Sequence, residues 1–194
     1  MTRKEATSRT KQAMADSLKK LACRKSFSQI TIRDIIVDCN INRKTFYYHF
    51  EDIYDLLKWT LEQEAISVVK NFDLLAEYEE ALNFVLDYVD ENRDFLHSVS
   101  HSLGRSELKR FFYNDFIDVL RIYIDAVEQA EQLNVPAEFK NFISAFFSEA
   151  VAGSILSSID QPEKQDRQRI AGYIMIIIDS TIPATLRTAS QGQA

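Results

Sequence analysis

Between Arg43 and His49 the chain gathers Arg43, Lys44, Thr45, Tyr47, Tyr48 and His49, with no carboxylate among them. Two cations, a hydroxyl, two phenols and an imidazole form a set dominated by hydrogen-bond donors. They suit a polyanion: phenols and hydroxyls reach phosphate oxygens, Arg and Lys donate to guanine O6 and N7, and a Thr methyl meets thymine. Asn42 just before them, and Thr31 and Arg33 upstream, extend the same polar set. Competing chemistry is sparse. There is no Gly-rich phosphate loop, no GxSxG elbow, no Asp-rich metal loop and no Ser/His/Asp set that spacing brings together. His97 and His101 stand four apart, a spacing that can put two imidazoles on one metal, but HxxxH without a paired acid, a Cys or a third nearby His is weak evidence for a site. They read as pocket-lining or surface residues, and the expectation is no metal, no cofactor and no enzyme.

Two short helices must position these groups. Thr31 has the side chain to cap the first, with Asp34 three residues on to complete a capping box, and Ile30 and Ile35 at staple spacing. Asn42 can cap the second, with Ile41 and Phe46 at the same staple positions. Between them Asn40 tolerates the left-handed conformation of a tight turn. On the second helix Phe46 and Phe50 share a buried face, so at about 100° per residue Lys44 and Tyr48 point away from the core, flanked by Arg43, Thr45, Tyr47 and His49. The helix dipole turns its positive end toward phosphate.

The segments T-I-R-D-I and N-R-K-T-F-Y-Y-H-F closely resemble the N-terminal DNA-binding domain of the tetracycline-repressor-like (TetR/AcrR) transcriptional regulators. The likeness covers about the first 57 residues; the remainder fits in length and helical character. It implies a three-helix helix-turn-helix domain with a recognition helix over residues 42–49, Tyr47 and His49 on phosphates, and Arg43, Lys44, Thr45 and Tyr48 near base edges. Asn40 replaces the usual turn glycine, Ile36 a common Ala, Lys44 an often small residue, and Ile53 a frequent phosphate-binding Lys. Segment E-D-I-Y-D-L-L and the short aromatic body resemble a subgroup that includes dihydroxyacetone-kinase-operon regulators, and that resemblance implies a body able to act through a protein partner.

With 194 residues, three Pro and four Gly, the chain has little material for sheet turns and is expected to be all-α. Residues 1–50 hold 11 Lys or Arg against 4 Asp or Glu, net +7; the other 144 hold 12 against 25, net −13. A basic head on an acidic body fits a nucleic-acid-binding module. Cys23 and Cys39 lack CxxC or zinc spacing and read as reduced, buried thiols of a cytoplasmic protein. No apolar run is long enough for a membrane span, and none follows the basic start as a signal peptide would.

In order, the chain reads as a helix–turn–helix head at 1–50, a connecting helix at 51–73 and a helical effector-binding and dimerisation bundle at 74–194. Residues 1–8 read as a mobile arm. A first helix over 9–23 turns Ala13, Leu18 and Leu21 inward, and Phe27 fills the corner before Ile30. Asp52 caps a helix over 53–72. The resemblance implies that this helix relays ligand binding to the DNA-reading heads. The body continues with a helix over 78–91, a short one after Asn92 ending near Gly104, and an aromatic one capped by Ser106 and reaching 133. Pro136 and Pro162 open the last two as first helical residues, and Pro183 kinks the end.

Those last helices are apolar beyond one face. Phe142, Phe146, Ala150 and Gly153 on one, and Met175, Ile176 and Ile182 on the other, are expected to form a two-fold dimer interface. Phe84, Tyr88, Phe112, Phe116 and Tyr123, with His97 and His101 nearby, are candidate lining for an effector cavity, and the resemblance implies a small-molecule ligand there. The chain thus reads as a homodimeric repressor released from a palindromic double-stranded DNA operator by an effector. The competing reading is a DNA-bound co-regulator whose body recruits a protein.

Overall fold

A computed structural model describes residues 3–73, 75–160 and 167–192. Among them every regular element is helical, and the chain divides into two compact units. The head comprises 1–64 with 92–108, the body 65–91 with 109–194. This differs from the expected 1–50, 51–73 and 74–194 division, because a helix from the middle of the sequence packs into the head.

The head begins with α1 (Arg3–Ala22), so residues 3–8 are helix rather than an arm. Arg, Lys, Glu and Ala in that stretch are good helix formers with no breaker among them. Met14, Ala15 and Leu18 are fully buried, whereas Ala13 faces solvent and Leu21 is half-buried. A single 3-10 turn (Phe27–Gln29) follows, with Phe27 buried and its ring 5.7 Å from Tyr54. Next come α2 (Ile32–Asp38) and α3 (Arg43–His49), then α4 (Ile53–Leu61), which Asp52 caps by accepting the Asp55 N–H at 2.8 Å. Leu56, Leu57 and Leu61 of α4 are buried, and α4 packs on α1, where Lys19 pairs with Glu64 at 2.7 Å. A π-helical turn (Glu62–Ile66) leads into α5 (Ser67–Val69), and the helix ends there rather than at 72.

The helix that joins the head from afar is α7 (Arg93–Leu103). It packs on α1 and on the 3-10 turn through buried Phe95, Leu96 and Val99. Ser98 Oγ accepts the Phe27 backbone N–H at 3.1 Å, and Ser102 Oγ accepts that of Ser28 at 3.2 Å.

The body holds α6 (Tyr78–Glu91), α9 (Ala137–Asp160), α10 (Arg167–Ser190) and most of α8 (Arg105–Ala130). Gly104 closes α7 at φ 86°, a conformation open to glycine, and α8 begins at the next residue. Ser106 therefore lies inside α8 and is not its cap. Likewise Pro136 precedes Ala137, the first residue of α9, and its carbonyl accepts the Lys140 N–H at 3.1 Å. Pro162 lies outside the described residues, and Pro183 lies within α10. Ile124, Ala152, Leu156, Ile182 and Leu186 form a fully buried centre. Arg187 clamps Glu131 with two hydrogen bonds of 2.6 Å, fixing α10 to the end of α8.

Candidate DNA-binding site and body cavity

The local signals in the head produce the geometry they encode. At α2, Thr31 accepts the Asp34 N–H at 3.3 Å while Asp34 accepts the Thr31 N–H at 2.7 Å, a complete capping box. Lys25 at 2.8 Å, and then Thr31, hold the Asp34 carboxyl at about 2, well below its ordinary 3.8. Thr31 also donates its hydroxyl proton to Asp34 at 2.7 Å and stays exposed. The turn runs through Asn40 at φ 51°, where an Asn stands in for glycine. Asn42 caps α3 by accepting the Thr45 N–H at 2.9 Å.

Helix α3 buries only Phe46, with Phe50 beside it, so the register places Lys44 and Tyr48 outward. Tyr48 is 69% exposed and Tyr47 47%, an unusual exposure for rings unless something covers them. Arg33, Asn42, Arg43 and Lys44 are exposed too, with Thr45 half-buried. The Arg43 guanidinium lies over the Tyr47 ring, 5.5 Å from its centre, and donates to its hydroxyl at 3.2 Å. Tyr48 meets His49 edge to face at 4.9 Å. Burial, and then the Lys11 ammonium, push the His49 pKa below its ordinary 6.5. Lys11 itself lies 5.2 Å from the centre of the Phe50 ring and 5.3 Å from that of Trp59. The outcome is a capped helix with two cations and two phenols on its open side and no carboxylate.

The cysteines are free, as expected, but Cys23 is exposed and only Cys39 is partly covered. Cys39 donates to the Ala13 carbonyl at 3.3 Å, and burial pushes its thiol pKa up.

In the body, Phe142 and Phe146 of α9 stack on each other, 65% and 61% exposed, with Ala150 exposed on the same helix. On α10 Ile176 is 66% exposed, joined by exposed Tyr173 and Ile177, which sequence reasoning did not assign to this face. Of the other expected interface residues only Ile182 is closed off within its own chain, while Met175 and Gly153 are half-exposed. Met175 lines a cavity, and Gly153 faces the Lys109 side chain of α8. The burial of Ile182 follows from the packing of α10 on helices remote in sequence.

A cavity of about 110 Å³ lies between the helices of the body. Val69 of α5, Ala81 and Val85 of α6, and Phe116, Val119, Leu120 and Tyr123 of α8 form one part of its wall. The rest comes from Val151 and Ile155 of α9 and Ile174, Met175 and Ile178 of α10. Of the expected lining only Phe116 and Tyr123 are there. Phe84 instead faces the Phe72 ring at 6.3 Å, Tyr88 is buried, and Phe112 stacks on Phe116 at 6.1 Å. His97 and His101 belong to the head unit, exposed, with their Nε2 atoms 3.1 Å apart. Among the described residues no group of three or more potential ligands gathers for a metal, and no helix is long and apolar enough to cross a membrane.

Comparison with known proteins gives the same fold. A family model described as a transcriptional regulator C-terminal region matches residues 76–180, more than half of the chain. The HTH-type dhaKLM operon transcriptional activator DhaS of Lactococcus lactis subsp. lactis (strain IL1403) is 24% identical over 150 residues, covering 77% of this chain and 79% of that protein. A solved structure named as the dihydroxyacetone kinase operon activator DhaS is 22% identical, covers 89% of this chain and 96% of its own, and superposes with a TM-score of 0.71. These relatives are named as regulators of transcription. The chain belongs to the TetR family of transcriptional regulators.

Proposed function

We propose that this regulator acts as a homodimer on a palindromic DNA operator, with α3 entering the major groove and an effector bound in the body altering operator affinity. The observation that carries the reading is the outward face of α3, where Lys44 and the 69%-exposed Tyr48 stand on a helix capped by Asn42. One such helix reads too few bases for useful specificity, so two copies related by a two-fold axis are needed. Stacked, exposed Phe142 and Phe146 with Ile176 supply an apolar surface for that pairing. Between blocking and promoting transcription, repression released by the effector is the simplest consequence of occupying an operator.

A second reading is favoured by the relatives' names, both of which describe an operon activator. In it the bound chain promotes transcription, with its body recruiting a protein partner. Selection of duplexes from a random pool tests the shared part. Recovered sites should be two-fold symmetric, with half-sites about 34–36 Å apart or a multiple of that; no enrichment, or an unsymmetric site, contradicts it. In vitro transcription from a promoter bearing the selected site then separates repression from activation.

A further inference from the structure

The cavity wall says what kind of molecule it accepts, a step that rests on the effector reading above. Its surface is carbon almost throughout. Val69, Val85, Leu120 and Ile178 are aliphatic, and Phe116 adds a ring face. No lining side chain is ionisable except Tyr123, whose residue is 7% exposed and already has an interaction partner. Adjacent to the lining residues along the chain, Lys70 and Asp118 pair with each other at 3.5 Å, so neither stands as an uncompensated charge for a ligand.

An ionised ligand entering such a wall sheds its hydration and meets no counter-charge. A polyol fares little better, because any hydroxyl turned to this wall gives up water and finds almost no polar surface in exchange. The space of about 110 Å³ is somewhat smaller than an apolar cavity of about 150 Å³ that stays dry and takes up benzene. We infer that the body cavity binds an uncharged, apolar molecule about the size of one aromatic ring, and discriminates against hydroxylated and ionised compounds. Met175 in the wall gives it an adaptable side chain for fitting such a guest.

Thermal unfolding of the full chain with toluene, benzoate or glycerol tests this, because benzoate keeps the ring and adds a charge. Toluene near saturation should raise the midpoint by about 5 °C, with benzoate and glycerol leaving it unmoved. Two variants that fill the space, Ala81→Leu and Val151→Phe, should lose the toluene shift while keeping native helical circular dichroism. Should either fail to fold, the other reports, and the ligand series on the parent chain stands alone.

Benzoate or glycerol binding as tightly as toluene would overturn the inferred ligand class while leaving an effector in this cavity. No shift with toluene would overturn the inference, as would a toluene shift that survives in a folded filled variant. A mobility-shift assay on the selected operator separates the two levels. Toluene that binds in the cavity without changing operator affinity upholds the cavity chemistry and removes the effector reading.

Discussion

The Asn42 side-chain oxygen accepts both the Thr45 backbone N–H, at 2.9 Å, and the Thr45 hydroxyl, at 3.1 Å. One residue thus ends the turn, starts α3 and orients a side chain of the outward face. Replacing it, Asn42→Ala, removes the cap and is expected to destabilise the chain by about 1 kcal/mol. Operator affinity should fall further than this loss of stability explains, because Thr45 also loses its anchor. Urea unfolding and operator titration on the same sample measure the two effects.

Asp34 gives the head a pH-dependent fastening. Its carboxyl titrates at about 2 in the folded chain against an ordinary 3.8, chiefly because Lys25 and then Thr31 hydrogen-bond the charged form. A depressed folded value means that the contribution is present above about pH 4 and disappears as the pH falls through 2. Asp34→Asn is therefore expected to be less stable than the parent at pH 6, with the gap narrowing toward pH 2. Thermal melts across that range check it, and a gap that widens on acidification contradicts the assignment.

Asn40 tests the turn. At φ 51° an alanine pays the left-handed penalty of roughly 1–2 kcal/mol, whereas glycine adopts the conformation freely. Asn40→Ala should lower the unfolding midpoint and Asn40→Gly should leave it close to the parent. Differential scanning calorimetry of the three chains decides.

Thr31, Asp34, Asn40 and Asn42 were legible in the sequence because caps and turns are written within three or four residues. The outward register of Lys44 and Tyr48 followed from Phe46 and Phe50 on the same short helix. What was not legible depends on contacts far along the chain. Nothing near Arg93–Leu103 signals that Ser98 meets Phe27, 71 residues away, so chain order alone groups His97 and His101 with the body, whereas they belong to the head. Ile182 and Ile176 are the same residue type on one helix. Only the packing of α10 against α6 and α9 makes the first buried and the second 66% exposed. Aromatic spacing also misleads: Tyr88 and Phe112 are buried in the core, Phe84 is half-buried against Phe72, and the cavity wall is mostly aliphatic.

Phe142 and Phe146 test the pairing of two chains. A carboxylate in place of either, Phe142→Asp or Phe146→Asp, would be desolvated in an apolar interface, so the dimer should weaken by a hundredfold or more, about 3 kcal/mol. Both positions are exposed within the chain, so helical content should not change. Sedimentation equilibrium reports the assembly. A parent chain that is monomeric at micromolar concentration, or variants that dimerise unchanged, would contradict the interface.

The most direct test of the account is operator affinity for the parent chain, Arg43→Ala and Lys44→Ala, each on the selected site and on sites altered at one base. A side chain that reads a base is worth about 1–3 kcal/mol of discrimination, so each variant should bind the selected site roughly 5- to 150-fold more weakly and lose preference at one position. Unchanged affinity and unchanged base preference in both variants would mean that α3 is not the helix that reads DNA.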